Sequence, residues 1–123
     1  MQPLRILLVD DHEGIRRGIR GLLSSRPNWH VCGEAVNGIE GIRKATELAP
    51  DVILMDISMP EMGGLEATVQ IRKILPDTRV IMVSQIDPKI ALHQTRSLGA
   101  AGFVAKTELS RDLIPMIDKV IRE

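Results

Sequence analysis

The sequence predicts one α/β domain, a doubly wound parallel sheet of five strands with helices on both faces. Short apolar, β-like runs alternate with amphipathic helical patterns five times along the 123 residues, and the connections are too short to hold anything else. The runs at 6–9, 52–55 and 80–83 are continuously apolar, as expected of parallel strands that are covered on both faces. Because β-α-β crossovers are right-handed, this alternation indicates a single open sheet.

The other two strands are less uniform. The run at 102–105 is short and begins with glycine, and a fifth candidate at 31–36 is the least apolar of the set. Because this run is less apolar than the others and contains Glu34, we expect residues 31–36 to form an edge strand.

The first three helices are predicted from apolar spacing and from their ends. Apolar residues recur at i, i+4, i+7 and i+8 from Ile15, and a second stripe continues to a stop at Pro50. A third helix at 65–75 follows a pair of glycines and ends at Pro76.

The last two helices differ in how well their ends are marked. Asp87 is an N-cap candidate, Pro88 fits the first helical position, and Gly99 follows the end of the fourth helix. The fifth helix, at 109–121, contains Pro115, which we expect near the end of its first turn, where it removes a backbone donor.

Composition excludes several classes of protein. Apolar residues make up 44% and charged residues 26%, and 16 basic residues balance 16 acidic ones, so neither disorder nor an overall basic nucleic-acid surface is indicated. No apolar run approaches the roughly 18 residues of a membrane span, and we expect no signal peptide. A single cysteine, Cys32, allows no internal disulfide, and the three histidines are too scattered to indicate a metal site. We therefore expect a cytoplasmic protein without a membrane partner.

Polar residues follow four of the predicted strands. Asp10 and Asp11 follow the first strand, and Asp56, Ser84 and Lys106 follow three others. Ligands of open parallel sheets bind at the carboxyl ends of the strands, so we expect these side chains to converge. Three neighbouring carboxylates need a divalent cation, and oxygen ligands favour Mg²⁺. With a lysine and a hydroxyl nearby, the set predicts a phosphoryl-binding site in which Asp56 is the candidate nucleophile.

Simpler interpretations exist for some of these residues. Asp11 is also a candidate N-cap for the first helix, alone or in addition to binding a metal. Phe103, taken alone, is most simply a core residue. Arg16, Arg17 and Arg20 form a basic patch on the first helix, which we interpret as a solvated face, with a partner surface as the alternative.

Together these residues resemble the response-regulator receiver domains of two-component signalling. The matching segments are VDDH at 9–12, MDISMP at 55–60 with GG at 63–64, VS at 83–84 and GFVAK at 102–106. The resemblance covers residues 1–123, and the DDH opening looks most like the NarL/FixJ (LuxR-type) branch. It implies a flavodoxin-like sheet of order 2-1-3-4-5, with no output domain in this chain.

The resemblance also implies a chemistry. Asp56 would accept a phosphoryl group from a sensor histidine kinase. Asp10, Asp11 and Asp56 would hold Mg²⁺ together with the backbone carbonyl of Ser58, and Lys106 would contact the phosphoryl group. Such a domain is a switch rather than an enzyme, with at most weak self-catalysed phosphotransfer and autodephosphorylation.

The same resemblance assigns a conformational response. Ser84 would swing inward to bond the phosphoryl group and Phe103 would follow, which shifts the face formed by the fourth helix, fifth strand and fifth helix. Ser58 and Ile86 would influence the rate of phosphate loss. Thr107 stands where many receivers have proline after a cis peptide bond. A cis bond is costly without proline, so the resemblance does not decide whether the Lys106–Thr107 peptide is cis or trans. A homodimer is a possible consequence of phosphorylation, and DNA would be contacted only through an output domain.

Three other functions are weighed against this one. A haloacid-dehalogenase-like phosphatase would need an aspartate two residues after its nucleophile, where this chain has Ser58. A nucleotide or flavin binder lacks support, because no glycine-rich phosphate loop follows a strand and aromatic residues make up only 2%. An interaction module that works without phosphorylation would not need the acids and the lysine.

Overall fold

The computed structural model describes residues 2–85 and 87–123, so the expectation for Ile86 lies outside the described residues. The chain forms five strands and five helices in strict alternation, and a short 3₁₀ turn precedes the last helix. Their bounds are β1 (Leu4–Val9), α1 (Glu13–Leu23), β2 (Trp29–Ala35), α2 (Gly38–Leu48), β3 (Val52–Asp56), α3 (Gly64–Ile74), β4 (Arg79–Ser84), α4 (Pro88–Ser97), β5 (Gly102–Ala105), the 3₁₀ turn (Lys106–Glu108) and α5 (Leu109–Ile121).

The strands form one parallel sheet of order β2-β1-β3-β4-β5. This confirms the predicted doubly wound fold, and β2 lies at an edge, as its less apolar sequence indicated. The strand β2 begins at Trp29, two residues earlier than predicted. Its register against β1 shifts at Cys32, a half-buried residue that the pairing skips between Val31 and Gly33.

Each face of the sheet carries its own apolar core. Leu7 and Val9 of β1 face the core beneath α2, α3 and α4, whereas Ile6 and Leu8 face the core beneath α1 and α5. All four of these side chains are at most 1% exposed. The continuously apolar runs in the sequence therefore have the expected cause, since helices cover both faces of the central strands.

Most helix ends follow the predicted signals. The Asp87 carboxylate accepts a hydrogen bond from the Lys89 backbone N–H at the start of α4, and Gly99 follows that helix with φ of 84°. Such a positive φ favours glycine. The expectation that Asp11 caps α1 is wrong: His12 occupies the N-cap position and makes no side-chain cap hydrogen bond.

The expected position of Pro115 is also corrected. A 3₁₀ turn precedes α5, so the helix begins at Leu109 and Pro115 is its seventh residue, past the first turn. The ring lies on the exposed side, where water can bond the carbonyl that lacks an N–H partner.

Among the described residues there is no cis peptide bond, so the bond between Lys106 and Thr107 is trans. No described helix has both the length and the apolar character needed to span a membrane.

Candidate functional site

The predicted polar residues meet at the carboxyl edge of the sheet. Val9 pairs with Met55, and Ser84 pairs with Ala105, so the residues that end or follow these strands are neighbours. A cavity of about 240 Å³ opens there. Its lining consists of His12, Asp56, Ser58, Ser84, Gln85 and Lys106.

Lys106 joins two of the acids. Its Nζ lies 2.8 Å from Asp10 Oδ2 and 3.4 Å from Asp56 Oδ2, and all three side chains are at most 5% exposed. One positive charge therefore serves two buried carboxylates. Because the site is buried, removal of the lysine or of an acid would leave an opposite charge without compensation.

Asp10 is bonded through its backbone and its side chain. Its N–H donates to the Ala35 carbonyl at 3.0 Å, and its carbonyl accepts from Arg16 Nη1 at 2.7 Å. Its Oδ1 accepts from the His12 backbone N–H at 2.8 Å, while Oδ2 faces Lys106. The position of this carboxylate is thus set by the protein itself.

The neighbouring acid, Asp56, is less completely hydrogen-bonded. Although Asp56 is only 3% exposed, its Oδ2 has no hydrogen-bond partner among the described residues. Burial raises the pKa of Asp56 from 3.8 to about 6, and the negative charge of Asp10 adds to the shift. The Lys106 ammonium and the Ser58 backbone N–H act in the opposite direction and lower the pKa. The carboxylate is short of positive charge.

The donor set fits a hard divalent cation. Ligand atoms of Asp10, Asp11, His12 and Asp56 all lie within 4.8 Å of one another. Carboxylate oxygens are the usual ligands of Mg²⁺, and the Asp56 oxygen without a hydrogen bond is available to such an ion. The carboxylate oxygens of the site therefore fit Mg²⁺, the cation expected from the sequence.

His12 is the neighbour that sequence reasoning missed. Its Nδ1 lies 3.2 Å from both Asp10 Oδ1 and Asp11 Oδ1, and its side chain is 63% exposed. The three histidines are scattered in the sequence, which hid this proximity. The only available signal was its position directly after two aspartates.

Ser84 and Phe103 lie on the α4 side of the sheet. Ser84 ends β4 and is 2% exposed, and side chains alternate along the strand, so it points to the same face as Met82. Phe103 is 8% exposed and belongs to the core with Met82 and Ala91 of α4. This burial agrees with the simpler interpretation of Phe103 as a core residue.

The backbone after Asp56 is tightly packed against the start of α3. A Cβ added at Gly64 would lie 1.9 Å from the Asp56 carbonyl oxygen, so only glycine fits there. The Gly64 N–H donates to the Ile57 carbonyl at 2.8 Å, which closes the turn. The glycine pair that the sequence placed before the third helix thus sets the direction in which the chain leaves Asp56.

The basic patch on α1 differs from expectation. Arg16 is only 14% exposed, and its Nε donates to Glu34 Oε1 at 2.8 Å. Arg20 Nη1 reaches the other oxygen of Glu34 at 2.6 Å. Only Arg17, 72% exposed and 3.6 Å from Glu13, fits the predicted solvated face. The partners of Arg16 and Arg20 come from β2, which helical periodicity cannot reveal.

Comparison with known proteins agrees with this geometry. The family model described as response regulator receiver domain matches residues 6–118. The response regulator protein VraR of Staphylococcus aureus is 39% identical over 119 residues, which cover 97% of this chain and 57% of that protein. The chain thus spans a little over half the length of this curated relative.

Two solved structures extend the agreement. A LuxR-family two-component response regulator from Aurantimonas sp. shares 32% identity at a TM-score of 0.92, over 98% of this chain and 86% of that one. The signal receiver domain of the response regulator NarL from Mycobacterium tuberculosis shares 31% identity at a TM-score of 0.85, over the full length of both. The chain belongs to the response regulator receiver domains of two-component systems, and these relatives support its place in the NarL/FixJ branch.

Proposed function

We propose that residues 1–123 form one receiver domain in which Asp56 accepts a phosphoryl group from the phosphohistidine of a sensor histidine kinase. The observation that carries this proposal is the buried Asp56 carboxylate, whose Oδ2 lies 3.4 Å from Lys106 Nζ and has no hydrogen-bond partner within residues 2–85 and 87–123. A buried polar atom without a partner is costly, and it persists in sites where a ligand supplies what the protein lacks.

Mg²⁺ would be held by Asp10, Asp11, Asp56 and the backbone carbonyl of Ser58. It would supply the positive charge that draws the phosphoryl oxygens and the acids together. The close approach of the acidic side chains supports this assignment. The Ser58 contribution rests on the family resemblance, together with the position of Ser58 at the cavity.

The transfer needs an ionised carboxylate. With a pKa of about 6, Asp56 is mostly ionised at neutral pH and therefore nucleophilic. One of its oxygens forms a bond to phosphorus while the phosphorus–nitrogen bond of phosphohistidine breaks. The bonding pair returns to the imidazole, which regains a neutral ring, and Asp56 becomes an acyl phosphate. Lys106 is placed to stabilise the charge on the phosphoryl oxygens.

The response would pass through the α4 side of the domain. A phosphoryl group adds about −1.5 to −2 charge and three strong acceptors. Ser84 and Lys106 are two of the donors that line the cavity, and a shift of Ser84 toward the acceptors would draw the β4–α4 connection and Phe103 with it. The face made by α4, β5 and α5, where Ile90 is 56% exposed, would then change its affinity for a partner.

The consequences for partners follow from this switch. The direct partner would be the kinase, and a homodimer on the α4–β5–α5 face would be one output of phosphorylation. DNA would be contacted only through an output domain, not by these residues. The domain would act in the cytoplasm, and its own catalysis would be limited to slow phosphotransfer and autodephosphorylation.

Intact-mass measurement tests the proposal. The chain is incubated with MgCl₂ and a small acyl phosphate, beside Asp56→Asn and the exposed control Asp77→Asn. We expect one phosphoryl group on the native chain and on the control, none on Asp56→Asn, and none when EDTA is present. Phosphorylation of Asp56→Asn would contradict the assignment. Continuous release of phosphate at enzymatic turnover would favour a phosphatase instead.

A further inference from the structure

We propose that Arg16, held in place by Glu34, is a positioning residue for the cation site, because it fixes the peptide that joins Asp10 to Asp11. This inference rests on the proposed function and deepens it. It concerns a side chain that touches neither the cation nor the phosphoryl group.

The contacts of Arg16 form a bridge. Its Nη1 donates to the Asp10 carbonyl at 2.7 Å, and its Nε donates to Glu34 Oε1 at 2.8 Å. Both donors belong to one planar guanidinium, so fixing one bond fixes the direction of the other. With 14% of the side chain exposed, Arg16 is far more enclosed than its neighbour Arg17, which is 72% exposed.

Glu34 is itself held from three sides. It lies in β2, in register with Leu8 of β1. Arg20 Nη1 bonds its second carboxylate oxygen at 2.6 Å, and Lys44 of α2 donates to its backbone carbonyl. The carboxylate that aims Arg16 therefore belongs to a network that joins α1, β2 and α2.

The held carbonyl matters because a peptide group is planar. The Asp10 carbonyl and the Asp11 N–H lie in one plane, so a bond to that carbonyl limits the rotation of the peptide. The Asp10 N–H is bonded to Ala35 on the other side of the residue. Asp11, whose side chain is 29% exposed, has its one ion-pair contact among the described residues with His12, at 3.2 Å. The direction of the Asp11 carboxylate thus depends on the backbone that Arg16 holds.

A titration with MgCl₂ alone tests the inference. Backbone amide shifts of Asp11 and His12 are followed by NMR on the native chain, Arg16→Gln, Arg20→Gln and Arg17→Gln, and chemical denaturation is measured on the same samples. All three variants remove one positive charge from α1. Only Arg16→Gln also removes the bond to the Asp10 carbonyl, whereas Arg20→Gln removes a bond to the same glutamate.

We expect Arg16→Gln to weaken Mg²⁺ binding about 10-fold, as is typical when a group that orients a metal ligand is lost. Arg17→Gln should remain within about 2-fold of the native chain, and Arg20→Gln should weaken binding less than Arg16→Gln does, because Arg16 keeps its own bonds to Glu34 and to the Asp10 carbonyl. If Arg16→Gln unfolds, Glu34→Gln replaces it, because glutamine keeps the shape of the glutamate side chain. Glu34→Gln should weaken Mg²⁺ binding by less than about 10-fold, because Arg16 can still reach the Asp10 carbonyl.

The outcomes separate this inference from the proposed function. If the native chain binds Mg²⁺ and Arg16→Gln binds it equally well, the inference alone is overturned. It is also overturned if Arg17→Gln weakens binding as much as Arg16→Gln, because the loss would then follow from the charge of α1 and not from the bond to the carbonyl. If the native chain binds no Mg²⁺, the proposed function fails and the inference with it.

Discussion

Asp10 and Asp56 lie at the ends of adjacent strands and are equally buried, at 3% exposure, but they are held very differently. The corner formed by β1, α1 and β2 bonds Asp10 through its N–H, its carbonyl and its Oδ1, and Lys106 after β5 pairs with its Oδ2. At the end of β3, Gly64 packs closely against the Asp56 backbone, yet the Oδ2 of Asp56 has no hydrogen-bond partner in the described part of the chain.

The difference in hydrogen bonding indicates different roles for Asp10 and Asp56. Burial of a polar group normally requires a partner within the protein, and Asp10 follows that rule. Asp56 departs from it, and burial together with the negative charge of Asp10 raises its pKa to about 6. Asp10 is held on all sides, whereas Asp56 beside it keeps an oxygen without a hydrogen bond to any residue that the structure describes. This arrangement is expected when a cation and a phosphoryl group are the partners of Asp56.

The largest expected effect comes from removing the charge that the two acids share. Lys106→Met leaves two buried carboxylates without a cation and should lower the free energy of unfolding by about 3–5 kcal/mol. Because Mg²⁺ would replace the missing charge, part of the loss should return when MgCl₂ is added. Urea denaturation with and without MgCl₂ measures both, with the exposed Lys119→Met as the control. An equal loss in both variants would mean that Lys106 holds no special charge balance.

The next effect concerns the backbone at Asp56. Gly64→Ala places a methyl group against the Asp56 carbonyl and should cost about 3 kcal/mol, since backbone must move to admit it. Gly18 in α1 has nothing within 4 Å of an added Cβ, so Gly18→Ala should stabilise the protein by up to about 1 kcal/mol. Denaturation curves of the two variants should shift in opposite directions. A neutral Gly64→Ala would show that the turn after Asp56 is not tightly packed.

A smaller effect depends on pH and concerns Asp56. The pKa of Asp56 is raised in the folded state, so the protein binds this proton more tightly when folded. The stabilisation that this provides is complete below about pH 4 and is lost as pH rises through about 6. Without divalent cations, Asp56→Asn should therefore be more stable than the native chain at pH 7, by about 2 kcal/mol, and the difference should vanish near pH 4.

Thermal unfolding from pH 4 to 8 in EDTA measures this difference. Asp77→Asn, exposed before β4, serves as the control and should follow the native chain. An advantage of Asp56→Asn that does not change with pH would point to a packing effect and not to the charge.

The residues of the site could be placed from sequence because strand ends are easy to locate. Apolar runs ended at Asp10, Asp56, Ser84 and Lys106, and parallel topology then required these ends to meet at one edge. The phosphoryl chemistry with Asp56 as nucleophile stays a prediction, made from the residue types that converge there and from the family resemblance.

What sequence reasoning missed depends on pairing across the fold. Arg16 was interpreted as solvated because its helical position gave no sign of Glu34, which lies 18 residues away on β2. The proximity of His12 to both aspartates depends on side-chain conformation, and so does the difference between Asp10 and Asp56. Periodicity reports which face of an element is buried, but not which polar atoms find a partner there.

The most direct test is the pKa of Asp56 itself. Carboxyl ¹³C NMR of the native chain, titrated with and without MgCl₂, gives that value, and Asp56→Asn assigns the signal. The account predicts a pKa near 6 without the cation and a clear decrease when Mg²⁺ binds. A carboxyl that titrates near 3.8, and that Mg²⁺ leaves unchanged, would contradict the central claim that Asp56 is buried short of positive charge.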